Sequence, residues 1–183
     1  MNKNNKKIQK IQKTGVATVV TKLFNIIEPN RVYFGQKDFV QTIAIETLIR
    51  DLNMPIEMKV CPTLREKDGL AMSSRNSYLS TEERIDATII YKALYSANEK
   101  YLEDKNSLKK LKISQLTEHV KDIVSTKSSL IDYVIVSDMF DASEFSPHED
   151  VPYDRRICIS LACKIGKTRL IDNFILDPFI TAL

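Results

Sequence analysis

The sequence is poor in glycine (4 residues) and has no tryptophan, so collagen-like and Gly-rich low-complexity chains are excluded. Three cysteines, Cys61, Cys158 and Cys163, form no CxxC pair and are an odd number, which argues for reduced thiols rather than a disulfide framework. Cys158 and Cys163 lie five apart, so on one strand they would face opposite sides and could not bridge. With only His119 and His148 present, no zinc site is expected, and no metal ligands are assigned. No apolar run approaches the ~20 residues of a membrane span, and no apolar core follows the basic amino terminus as in a secretory signal. There is no excess of one charge over the body of the chain. The net charge is +3, but residues 1–14 hold five lysines and no acid, so the remainder carries −2. Nucleic-acid binding, which needs a basic face on the folded body, is not expected. Internal repeats are absent.

What is present is ordinary globular composition, 43% apolar and 28% charged over 183 residues. After the Lys-rich leader (1–14), Val16, Val19, Val20, Leu23, Phe24 and Ile27 recur at helical spacing and Glu28-Pro29-Asn30 stops them. Val32–Phe34 reads as a short strand ending at Gly35. A helix follows over about 37–52, then a turn at Asn53-Met54-Pro55 and a strand over 56–61, with Ile56, Met58 and Val60 on one side. This alternation is the signature of a parallel sheet. Residues 63–80 lose periodicity and read as a long polar loop, a kind of segment that often carries function. Ser80 with Glu83 forms a capping box for a helix over about 81–102. Asn106-Ser107 is read as the cap of another helix, to about Val124. Strands follow over 131–136, 156–163 and 168–174, the last two joined by a hairpin turn at Ile165-Gly166-Lys167. The change of pattern places a domain boundary near Asn76, giving domains over 15–76 and 77–183. The expected fold class is α/β: part of a Rossmann-like parallel sheet, followed by a small α+β domain with antiparallel strands.

Two segments could carry chemistry. Phe34-Gly35-Gln36-Lys37-Asp38 joins the carboxyl end of a strand to a helix, where ligands of parallel α/β sheets bind. Gly35 would let a ligand approach the backbone, the helix start and Lys37 favour anions, and Asp38 can accept from sugar hydroxyls. The competing reading is a plain strand-to-helix turn with two solvated charges. Met72-Ser73-Ser74-Arg75 lies in the long loop, and its two hydroxyls, backbone N–H groups and guanidinium suit a polyphosphate. There the competing reading is a surface loop whose serines cap the next helix. His119, in a helix beside Leu116 and Val120, reads as a boundary residue; His148, beside Glu149 and Asp150, lacks metal-ligand spacing.

The runs GVATVVTKLFNIIEPNRVYFGQKDFVQ, PTLREKDGLAMSSRNSYLSTEER and GKTRLIDN resemble the pantoate–β-alanine ligases, over about Gly15 to Asn173. The resemblance implies a nucleotidyltransferase-type Rossmann domain with a small C-terminal domain, and an MSSR run equivalent to the KMSKS loop of class I aminoacyl-tRNA synthetases. It implies an ATP-dependent condensation of pantoate with β-alanine to pantothenate, a coenzyme A precursor, through pantoyl adenylate. By that likeness Gly35 and Asp38 hold the ribose, Lys37 the phosphates and Gln41 the pantoate. Leu64 backbone groups and Met72 border the adenine, while Ser73, Ser74 and Arg75 grip the phosphates. Mg²⁺ is held through ATP phosphates, no covalent nucleophile is used, and the location is cytoplasmic.

Members of the family also carry an N-terminal part with an HxGH motif, and no HxGH occurs in this sequence. The sheet is therefore expected to lack strands, the Val16–Ile27 helix to expose apolar surface, and the chain alone to be weak or inactive. Three forms fit that expectation: a truncated ligase, one subunit of a split or homodimeric enzyme, or an interaction module that has kept the fold.

Overall fold

The computed structural model describes residues 3–108 and 110–179, with side chains from Gly15 onward. The five leader lysines fall outside the described side chains. The chain divides into two compact units, Met1–Pro62 and Thr63–Leu183.

In the first unit, helix α1 (Lys3–Ile27) continues the expected helix back through the leader. It ends at Glu28, whose φ of +49° leaves the helix and whose N–H donates to the Phe24 carbonyl (2.8 Å) before Pro29. Its apolar stripe splits into two halves. Phe24 is buried and Val16 and Val20 are half-buried, one turn apart; Val19, Leu23, Ile26 and Ile27 are exposed, Ile26 at 78%. The expected apolar surface on this helix is thus present. Strand β1 (Arg31–Gly35) pairs in parallel with β2 (Glu57–Cys61), with Gly35 opposite Cys61. Helix α2 (Phe39–Asp51) makes the crossover. It starts later than the periodicity suggests, because Gln36–Asp38 form a 3₁₀ turn and Asp38 (φ −97°, ψ 53°) is not helical. It buries Phe39, Thr42, Ile43 and Ile45. Alternation on the sheet is incomplete: Val32, Phe34 and Met58 are half-buried, but Val60 and Tyr33 are exposed. On the exposed side Glu57 bridges Arg31 and Lys59, and both cations hold its carboxyl below the usual range.

The second unit begins earlier than the expected boundary at Asn76. Residues 63–75, expected as a loop of the first domain, fold onto the α+β body, and the pairing of Arg65 with Asp172 (2.6 Å) ties them there. The single helix expected over 81–102 is two, α3 (Thr81–Asp86) and α4 (Ile89–Asn106). The break is local. The Thr88 hydroxyl donates back to the Ile85 carbonyl (2.8 Å), and the Thr88 and Ile90 amides make tighter i→i−3 bonds. Helix α5 starts at Ile113 and runs to Ser125, so Asn106-Ser107 closes α4 rather than capping α5. Leu108 turns the chain with φ +55°. Residues 111–112 then run extended against 149–151, where the Val151 amide donates to the Leu111 carbonyl (2.7 Å).

Strands β3 (Leu130–Asp138), β4 (Ile157–Ile165) and β5 (Thr168–Leu176) form an antiparallel sheet in the order β3-β4-β5. The β4–β5 hairpin turns on Gly166 (φ +55°), the sign that a two-residue loop needs at its first central position. A bulge between Ile131 and Tyr133 sets Asp132 outside the β3–β4 register, where it pairs with Arg169 (2.5 Å). Helices α4 and α5 cover the sheet. The core joins Ile90, Leu94 and Tyr101 of α4, Leu116, Val120 and Val124 of α5, and Ile157, Ile159 and Leu161 of β4. Each of the fully buried Leu and Ile side chains stabilises the fold by about 2 kcal/mol.

All three cysteines are unpaired; Cys61 is exposed, Cys158 and Cys163 are buried. Burial pushes the Cys158 thiol up to about 12 and the Cys163 thiol up to about 11. At pH 8 both are protonated and shielded, so a thiol reagent should modify one cysteine, Cys61, in the native chain and three in denaturant. Mass-spectrometric counting checks this; rapid labelling of Cys158 in the native chain would contradict the packing of β4.

Candidate active site

The parallel pair β1–β2 points both carboxyl ends to one edge, and the chain leaves β1 there through the 3₁₀ turn into α2. Gly35, Lys37 and Asp38 all sit in this connection. Gly35 is extended (φ −81°, ψ 132°), a conformation any residue adopts, so its absent side chain rather than its backbone freedom is the relevant property. A Cβ there would meet nothing within 4 Å, which leaves the peptide open to close approach. Asp38 precedes α2 but makes no capping hydrogen bond, so it is not committed as an N-cap. Gln41 follows in the first turn of α2, half-buried. Four sequence-derived candidates thus gather at one strand-to-helix junction.

In the second unit, the segment read as an irregular loop is a small hairpin. Arg65 and Ala71 pair as an antiparallel bridge, the Glu66 amide donates to the Leu70 carbonyl (2.8 Å), and the Met72 amide donates to the Leu64 carbonyl (2.9 Å). Leu64 and Met72, the two residues expected to border adenine, are therefore opposite one another, and both side chains are exposed. The tip is turned by Gly69 (φ +91°), whose missing Cβ makes room for the Tyr91 ring. Ser73–Arg75 continue the outgoing limb into a 3₁₀ turn, Ser74–Tyr78. The Ser73 Oγ accepts from the Arg75 amide (3.3 Å), so the capping alternative is real for Ser73. Ser80 caps α3 through the expected box, accepting from the Glu83 amide (3.1 Å) while Glu83 accepts from the Ser80 amide (2.9 Å). Ser74 and Arg75 are exposed.

Charges beside the MSSR run are already engaged. Arg65 pairs with Asp172, and Asp68 is held below the usual carboxylate range by the Arg84 guanidinium (2.8 Å). Sequence reasoning gave Arg65 and Asp172 no individual role, although Asp172 lies within the GKTRLIDN run. Elsewhere in this unit a groove of about 610 Å³ is lined by Phe140, Arg155, Arg156 and Phe179 among others, and includes none of the candidate site residues. His119 is tied to Ser96 (2.9 Å). Among the described residues, no group of three or more His, Cys, Asp or Glu is placed to hold a metal ion, and no helix is long and apolar enough to cross a membrane.

These motifs lie in a chain whose residues 3–175 match the sequence profile of pantoate-beta-alanine ligase. It belongs to that family. Pantothenate synthetase of Herpetosiphon aurantiacus is 43% identical over 165 residues, covering 88% of this chain and 56% of the relative. That of Carboxydothermus hydrogenoformans is 48% identical over 164 residues, covering 89% and 54%. The crystal structure of pantothenate synthetase from Thermus thermophilus superposes with a TM-score of 0.76 at 32% identity, covering 90% of this chain and 56% of that one. The pantoate-beta-alanine ligase of Francisella tularensis, complexed with beta-gamma ATP and beta-alanine, superposes with a TM-score of 0.60 at 33% identity, covering 88% and 49%. The α/β architecture is that of the family's structures, and the chain spans about half the length of the curated relatives it matches.

Proposed function

We propose that this chain supplies part of the ATP site of a cytoplasmic pantoate–β-alanine ligase. The observation that carries the reading is the placement of Gly35, Lys37 and Asp38 at the carboxyl edge of a parallel β-α-β unit in a chain of this family. In the first step a pantoate carboxylate oxygen attacks the α-phosphorus of ATP. The bond to the bridging oxygen breaks and pyrophosphate leaves. In the second, the amine of β-alanine attacks the acyl carbon of pantoyl adenylate, the bond from that carbon to the bridging oxygen breaks, AMP departs with that oxygen, and the nitrogen loses a proton.

Gly35 and Asp38 hold the ribose and Gln41 the pantoate; Leu64 and Met72 flank adenine. Lys37, Ser73, Ser74 and Arg75 bind phosphate oxygens and stabilise the charge that grows on the leaving pyrophosphate. This donor set is cationic and hydroxylic, with one carboxylate, and it fits Mg²⁺ carried on the phosphates rather than caged by side chains. Catalysis on this reading is positioning and electrostatics.

The exposed Val19, Leu23, Ile26 and Ile27 on α1 support completion of the enzyme by further polypeptide, either an N-terminal half or a second copy. The test is pantoate-dependent ATP–pyrophosphate exchange, by the chain alone and with an N-terminal half from a family relative. Exchange is expected only with the added half. Exchange by the chain alone would overturn the need for completion. No exchange in either case would overturn the ligase reading in favour of an interaction module.

A further inference from the structure

Arg65 has no ligand role in this reading, yet no other side chain in the hairpin is held by as many groups. Its Nη1 donates to Asp172 Oδ2 (2.6 Å) and to the Gly69 carbonyl (3.1 Å). Its Nη2 donates to Asp172 Oδ1 (3.1 Å) and to the Asn173 carbonyl (3.3 Å). The guanidinium carbon lies 4.7 Å from the centre of the Tyr91 ring. Asp172 is 1% exposed and Arg65 19%. The head group is thus committed to protein, bridging the incoming limb, the Gly69 tip, strand β5 and helix α4. A second fork, Arg84 on Asp68 (2.8 and 3.2 Å), fastens the same tip to α3.

The outgoing limb of this hairpin runs directly into Met72, Ser73, Ser74 and Arg75. Within the unit, it is held by the two forks, the bonds between the limbs, the buried Leu70 and Ala71, of which Leu70 joins the core, and the Asn76 side chain, whose Nδ2 donates to the Ala71 carbonyl (3.1 Å). A planar, bidentate guanidinium fixes direction as well as distance, which a lysine ammonium cannot do. We propose that Arg65, anchored on Asp172, is a positioning residue that sets where the Met72–Arg75 run meets the nucleotide. The proposal rests on the reading of that run as phosphate-binding.

The test uses Arg65→Lys, which keeps Asp172 opposite a cation. The double variant Arg65→Met/Asp172→Leu serves as a second probe, because removing both charges leaves no unpaired buried carboxylate. In the full chain, hydrogen exchange at the Glu66 and Met72 amides should quicken at least about tenfold in both variants, with β4–β5 amides unchanged. In the chain completed by an N-terminal half, kcat for pyrophosphate exchange should fall at least about tenfold, while KM for pantoate stays within about twofold.

Wild-type protection of the hairpin amides overturns the proposal. So does an unchanged kcat alongside a damaged Arg75→Ala enzyme, and that result leaves the phosphate reading standing. Loosening of the whole α+β unit would make the pair a general stabiliser and also overturns it. Wild-type exchange by Arg75→Ala, or no exchange by the completed wild type, overturns the phosphate reading and the proposal with it.

Discussion

Replacing Lys37 or Arg75 by alanine, in the chain completed by an N-terminal half, is expected to lower pyrophosphate exchange by at least about tenfold each. Adenylate formation asks the protein for little covalent help. Charge moves from the α-phosphorus onto the departing pyrophosphate, and a fixed cation beside that group is worth more in the transition state than in the ground state. Lys37 stands in the short 3₁₀ turn between β1 and α2, and Arg75 in the short 3₁₀ turn after the hairpin. Lys59→Ala provides the control. It removes the same charge as Lys37→Ala from the same unit, at a strand residue on the exposed side of β2, outside the Gly35–Asp38 turn. If Lys59→Ala lowers the rate as much, the effect is net charge, and the assignment of Lys37 fails. Wild-type rates in both Lys37→Ala and Arg75→Ala would remove the site assignment altogether.

Gly69→Ala is expected to destabilise the second unit by about 2–4 kcal/mol, measured as a lowered midpoint in urea by far-UV circular dichroism. Two costs combine. The φ of +91° at Gly69 is one that L side chains rarely adopt, and a Cβ would overlap the Tyr91 ring, 2.0 Å from Cδ1. Tyr91 also faces the Arg65 guanidinium, so it cannot move without loosening the fork on Asp172. The two costs separate in a double-mutant cycle with Tyr91→Ala, where the overlap disappears and the backbone cost, about 1 kcal/mol, remains. An unchanged midpoint for Gly69→Ala would mean that the tip is not pinned against α4.

The same residues show what could be read along the chain. The β1-α2-β2 order, the stop at Glu28-Pro29, the Ser80–Glu83 box and the Gly166 hairpin all follow from spacing and turn chemistry within a few residues. Those signals were sufficient for the fold class and for the junction at Gly35–Asp38. Element ends were less legible where a local bond competes with periodicity. Thr88 breaks one apolar stripe into α3 and α4 by bonding backwards, and Asn106-Ser107 has the composition of a cap but closes a helix, because Leu108 leaves it with positive φ.

Periodicity and capping along the chain were enough for the parallel α/β beginning, the antiparallel ending and the two motif-bearing segments, because they record which face of a short element is buried. That the locally closed hairpin of residues 63–72 belongs to the second unit was settled by tertiary contact. The bond responsible joins Arg65 to a carboxylate 107 residues away, and no local pattern encodes a partner at that distance. Only the fold, too, left half of the α1 stripe uncovered: spacing shows that a helix has an apolar side, whereas what lies against it depends on which elements the chain brings there.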